Sequence, residues 1–116
     1  DYDNDGDLDV FVVNHQGSPL LLRNDGGNKN NWLKVRLRTT KSNRSGFGAV
    51  VQIEANGIRQ MQEVGSQPSY LSQNALEAHF GLGQSNTVNH LSVRFPSGAV
   101  RELKQLPANQ TVVVAE

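Results

Sequence analysis

Residues 33–38, LKVRLR, alternate apolar and basic side chains without a break, the signature of a half-buried strand. Leu33, Val35 and Leu37 fall on one face; Lys34, Arg36 and Arg38 fall on the other. A strand with one apolar face needs a second layer to cover it, and the remaining sequence offers short strands for that purpose. Ala49–Ala55 and Ile58–Val64 flank Asn56-Gly57, a dipeptide suited to the type I′ hairpin turn, which needs positive φ twice. Leu91–Phe95 and Ala99–Leu103 flank Pro96-Ser97-Gly98 as a second hairpin, and Thr111–Ala115 is a final strand. Nearer the front, Leu8–Asn14 and Pro19–Arg23 read as a hairpin joined through His15–Ser18. Gln73–His79 is the one stretch expected to hold a helical turn, stopped by Gly81 and Gly83.

The expected fold is therefore all-β: a β-sandwich of about seven strands from residue 31 onward, preceded by a β-hairpin. The polar Gly/Asn tract Arg23–Asn31 is the best boundary, dividing the chain into residues 1–29 and residues 30–116. No internal repeat of solenoid or propeller length is present. The chain opens abruptly at Asp1, inside a motif, which reads as a piece of a longer polypeptide.

Composition narrows the function. Eleven Lys/Arg balance eleven Asp/Glu, so no basic excess argues for nucleic acid. Without cysteine there are neither disulfides nor thiolate metal sites. No run is long and apolar enough to suggest membrane insertion. The charge is nonetheless unevenly placed: the first nine residues hold five aspartates, while seven basic residues lie between Arg23 and Arg44.

The five aspartates stand at alternate positions in DYDNDGDLD: Asp1, Asp3, Asp5, Asp7 and Asp9. A hard cation such as calcium takes about six to eight oxygens, and alternate carboxylates on a tight loop converge to supply them. Side-chain oxygens of Asp1, Asp3, Asp5 and Asp9, with the backbone carbonyl of Asp7, are the expected calcium ligands, and Gly6 permits the turn. An EF-hand is excluded, because its bidentate glutamate position is Val12 and the adjoining LDVFVVN is strand-like. Without a cation the loop would repel itself, a like-charged pair at ~4 Å costing roughly 4 kcal/mol at a surface-like dielectric.

The acidic loop, LDVFVVN and LLLRNDGG together resemble an FG-GAP/VCBS-type repeat, as found in integrin-like β-propellers. The remainder of the chain resembles the ASPIC/UnbV domain through NNWLKVRL (Asn30–Leu37), KSNRSGFGAVVQI (Lys41–Ile53), YLSQNALEAHFGLG (Tyr70–Gly83) and VRFPSG (Val93–Gly98). Two residues depart from the usual pattern: Phe95 stands where the family has tryptophan, and Phe47 where isoleucine is commoner. The resemblance implies a calcium-stabilised repeat remnant leading into a β-sandwich-like module, and it implies no reaction.

Catalytic motifs are missing: His15, His79 and His90 are scattered, with no metalloprotease, nucleophile-elbow or P-loop spacing. His79 reads first as a packed structural histidine, and Glu77 with His79 is the single pair an enzyme would use. The basic face of Lys34, Arg36 and Arg38 has a potential counterpart in the acidic loop of the same chain. Trp32 reads as a core or domain-junction anchor ahead of a sugar platform. If the module recognises a ligand or partner, the loops carrying Asn43, Arg44, Tyr70, Ser72, Gln73 and Asn74 are the candidates.

The functional expectation is a non-catalytic, calcium-binding adhesion or interaction module of a secreted, cell-surface or periplasmic protein. Its partner would be a protein or a glycan, with homo-oligomerisation through the exposed N-terminal hairpin. Two alternatives are an accessory or catalytic component of a biosynthetic pathway and a glycan-binding module using Trp32 or Tyr70.

Overall fold

The structure, a computed structural model, describes residues 1–65 and 69–116. Nine strands are present among the described residues: β1 (Val10–Val12), β2 (Leu20–Leu22), β3 (Asn31–Arg38), β4 (Val50–Ala55), β5 (Ile58–Glu63), β6 (Ala78–Gly83), β7 (Thr87–Arg94), β8 (Val100–Pro107) and β9 (Gln110–Ala115). They form three sheets: β1 with β2, a three-stranded sheet β6-β3-β9, and a four-stranded sheet β5-β4-β7-β8. The two larger sheets make the sandwich, and they contain the seven strands expected from residue 31 onward.

Local chemistry explains most of this order. Asn56 and Gly57 adopt φ of 48° and 75°, the paired positive angles that fold β4 onto β5. At Pro96–Gly98 the chain reverses again, with Phe95 and Ala99 hydrogen-bonded across the turn. The resulting β7–β8 pair runs longer than the flanking sequence suggests, from Thr87 to Pro107. The central pairing of the smaller sheet is parallel: β9 lies beside β3 with Val35 opposite Val112. Such a pair needs a long crossover, here the whole of β4 to β8.

The core comes from the inner faces of both sheets, mostly at alternate positions: Leu33 and Val35 on β3, Val51 and Ile53 on β4, Phe80 on β6, Val88, Leu91 and Val93 on β7, and Val114 on β9. Phe95 is buried with them, so the phenylalanine of VRFPSG fills a core position. The expected helical turn at Gln73–His79 does not form. Ala78, Phe80 and Leu82 point inward at period two, and this makes Ala78–Gly83 a strand. Gly81 and Gly83 occupy the outward positions and interrupt nothing. The open edge of β6 is stitched to β5 by side chains: Gln62 Nε2 donates to the His79 carbonyl at 2.6 Å, and Gln60 Nε2 donates to the Gly81 carbonyl at 2.7 Å.

Among the described residues, none before Leu33 belongs to the core. β1 and β2 pair only with each other, and Val10, Phe11, Leu20, Leu21 and Leu22 are exposed. The projecting hairpin is consistent with a radius of gyration of 15.1 Å, against about 13 Å for a compact domain of this length.

Candidate metal centre

The acidic loop is seated on the outer face of the three-stranded sheet. β3 turns Trp32 and Lys34 outward, and β6 places His79 directly opposite Lys34. The rings of Trp32 and His79 stack with centroids 6.0 Å apart and planes 19° from parallel. Lys34 Nζ lies 5.4 Å from the Trp32 ring centroid. Gly6 rests against this platform with φ of +101°, and a Cβ added there would meet Trp32 Nε1 at 2.0 Å. Only glycine permits both that backbone angle and that approach.

Four polar contacts fasten the loop. Lys34 Nζ donates to Asp1 Oδ2 at 2.5 Å. His79 Nε2 donates to the Gly6 carbonyl at 3.1 Å, which sets the proton on that nitrogen. From the other side, the Gly27 N–H donates to Asp7 Oδ2 and the Asn24 N–H donates to Asp9 Oδ1, both at 2.9 Å. Burial, together with the nearby Lys34 ammonium, holds the His79 imidazole below its ordinary pKa against the opposing pull of the Gly6 carbonyl. The N–H groups of Asn24 and Tyr2 hold the Asp9 carboxyl below the usual range.

The loop brings carboxylate oxygens of Asp1, Asp3 and Asp9 within 4.8 Å of one another. Ligand oxygens on opposite sides of a calcium ion stand roughly 5 Å apart, so this spacing fits one hard cation. The Asp1 side chain is 4% exposed, and its Oδ1 is buried without a hydrogen-bond partner while Oδ2 holds Lys34. A buried carboxylate oxygen with no donor is costly unless a cation meets it. Asp5 and Asp7 fall outside the group of three. Asp5 Oδ1 accepts the Asp7 N–H at 3.1 Å, and the buried Asp7 carboxylate accepts from Gly27. The donor set is all oxygen and all anionic, which suits calcium; bound there, the ion would supply charge neutralisation and rigidity, with no reaction implied.

The other candidates are dispersed. Asn43 is taken up by its own turn, its side chain bonding both the N–H and the carbonyl of Phe47 at 2.9 Å. Arg44 borders a shallow depression with Arg36, Leu37, Ser45, Leu76 and Glu77. Tyr70 is 85% exposed, Ser72 Oγ donates to the Tyr70 carbonyl, Gln73 Nε2 donates to the Asn74 carbonyl, and Asn74 is exposed. None of Tyr70, Ser72, Gln73 and Asn74 lines the depression that Arg44 borders. Glu77 accepts from the Arg36 guanidinium at 2.8 Å, while His79 is committed to Trp32 and Gly6. The residues that sequence reasoning left out of the loop's surroundings are Asn24 and Gly27, which act through backbone N–H groups and so carry no side-chain signature.

Fold and site together define an all-β sandwich module with an acidic loop docked on one outer face. The family model described as ASPIC and UnbV matches residues 39–116, more than half of the chain, and the chain belongs to that family. The matched stretch starts one residue after β3, although β3 is the central strand of its sheet. No curated protein matches the chain significantly.

Proposed function

We propose that this chain is a non-catalytic, calcium-binding adhesion or interaction module of a secreted or cell-surface protein. On this reading residues 1–29 are the end of an FG-GAP/VCBS-type repeat and the sandwich presents the partner surface. The observation that carries it is the convergence of Asp1, Asp3 and Asp9 around a buried, unpartnered Asp1 oxygen. The cation neutralises the carboxylates and fixes the loop on Trp32, and the loop in turn orients the hairpin relative to the sandwich. The partner is a protein or glycan met through the exposed loops at Arg44 and at Tyr70–Asn74.

Extracellular modules of this kind bind calcium at about 10⁻⁴–10⁻³ M. Tenfold excess over such a dissociation constant stabilises the folded state by roughly 1.4 kcal/mol. That amounts to a rise in melting temperature of about 6–11 °C for a small domain. Thermal melting with calcium, with magnesium and with chelator tests the reading. A calcium-specific rise that is lost in Asp3→Asn supports it; three superimposed curves refute it.

A further inference from the structure

Lys34 is the feature that this reading leaves unexplained. It is buried to a degree unusual for lysine, with its side chain 10% exposed, and its ammonium contacts Asp1, one of the three converging carboxylates. The other charges nearby are already committed or more distant. Glu77 pairs with Arg36, and the α-ammonium of Asp1 lies 3.9 Å from Asp9 Oδ2. Lys34 thus places a fixed side-chain positive charge at the edge of a group whose other side chains are carboxylates.

Resting on the calcium reading, we infer that Lys34 is a resident counter-ion that sets the affinity of the acidic loop. In the metal-free protein its ammonium supplies part of the charge that a cation would supply, and it keeps Asp1 and the loop on the Trp32 platform. When calcium enters, the same ammonium stays beside Asp1 and repels the ion, which weakens binding and limits the change in docking between the two states. A unit charge roughly 5 Å from a divalent ion in a water-like dielectric corresponds to about a tenfold change in binding constant.

The geometry separates this from a merely structural lysine. The Lys34 ammonium lies over the Trp32 ring, and methionine would fill a similar volume beside that ring while deleting the charge. Arginine would keep the charge with a different head group.

The test is calcium titration by isothermal calorimetry, with Trp32 emission and hydrogen exchange of the loop in chelator, on the wild type, Lys34→Met and Lys34→Arg. The expected result has two parts. Lys34→Met binds calcium about tenfold more tightly, yet in chelator it loses protection over residues 2–9 and shows red-shifted Trp32 emission; Lys34→Arg stays near wild type in both. If wild type binds calcium and Lys34→Met binds it with equal or lower affinity, the inference is overturned while the calcium reading stands. If wild type shows no calcium-specific binding, the calcium reading fails and the affinity half of the inference fails with it. A loop equally protected in chelator in Lys34→Met and wild type overturns the docking half on its own.

Discussion

Gly6→Ala separates the docking of the acidic loop from the stability of the sandwich. The new methyl carbon would lie 2.0 Å from Trp32 Nε1 and 2.2 Å from Cε2. Carbon contacts need about 3.5 Å, so the loop must rise by roughly 1.5 Å. Trp32 has little room to yield, because His79 stacks on it and Lys34 sits over the same ring. Such a rise stretches the Lys34–Asp1 contact from 2.5 Å and the His79–Gly6 bond from 3.1 Å beyond hydrogen-bond range. Losing one charged and one neutral bond removes about 2–4 kcal/mol. The positive φ adds about 1–2 kcal/mol for a non-glycine residue. These costs all oppose docking, so the loop lifts off and the sandwich, whose core begins at Leu33, stays folded. Trp32 is the only tryptophan and reports the event directly: its emission shifts red, protection over residues 2–9 disappears, and the main unfolding transition falls only by what docking of the loop contributes. Gly57→Ala is the control. It has a positive φ of 75° with no atom near the added methyl, so it lowers global stability by about 1–2 kcal/mol and leaves Trp32 emission unchanged. Native emission and loop protection in Gly6→Ala would refute the docking geometry.

Two further predictions concern other parts of the chain. Glu116 reaches across to the β3–β4 loop, where its Oε2 accepts the N–H groups of Thr40 and Lys41 at 2.7 Å and of Ser42 at 2.9 Å. Desolvation raises its pKa, but these bonds and the Ser42 and Ser97 hydroxyls outweigh it and leave the carboxyl far below the usual range. A depressed carboxylate stabilises the fold fully above its unfolded pKa and loses that contribution as pH falls towards the folded value. Urea unfolding of the wild type should therefore weaken progressively as pH drops through the ordinary carboxylate range, and Glu116→Gln should flatten that slope; parallel profiles would show that the cradle is not coupled to folding. The β1–β2 hairpin leaves Val10, Phe11, Val13 and Leu20–Leu22 exposed on two short strands with bare edges. Sedimentation should detect concentration-dependent dimers that Phe11→Lys abolishes, and a monomer at all concentrations would count against a self-associating hairpin.

The sequence is most legible where structure is decided locally. Asn56-Gly57 encodes its own turn geometry, and β4 and β5 pair in register on either side of it. β6 is hard to read because its outward positions include two glycines, so that Ala78, Phe80 and Leu82 carry the alternation with little polar contrast. The parallel pairing of β3 with β9 has no local signature: its register joins residues more than seventy positions apart, and no turn specifies it. The carboxylate spacing in DYDNDGDLD does indicate a converging group, but Asp5 and Asp7 are bonded to backbone N–H groups instead of joining Asp1, Asp3 and Asp9. Nothing in the spacing distinguishes an aspartate that faces inward to the group from one that braces the loop.

β3 shows why the seat of the loop is hard to see in the sequence. Its alternation describes one apolar and one basic face, and basic faces are usually solvated. Arg36 and Arg38 fit that description and are exposed. Lys34 and the half-buried Trp32 do not, because the acidic loop covers them, so the strand is enclosed on both sides in its first half and on one side in its second. The binary pattern is the same in both halves, since a lysine paired with aspartate and a lysine in water occupy the same polar letter. Burial of Lys34 is tolerated because Asp1 meets its charge and its ammonium lies over the Trp32 ring. The reciprocal holds for Asp1, whose own burial is tolerated because Lys34 meets one oxygen. Each therefore depends on the other, and a sandwich without residues 1–9 would expose Trp32 and leave Lys34 without its aspartate. The loop is for this reason part of how the sandwich finishes its outer face, through contacts that reach from residues 1–9 to β3 and β6.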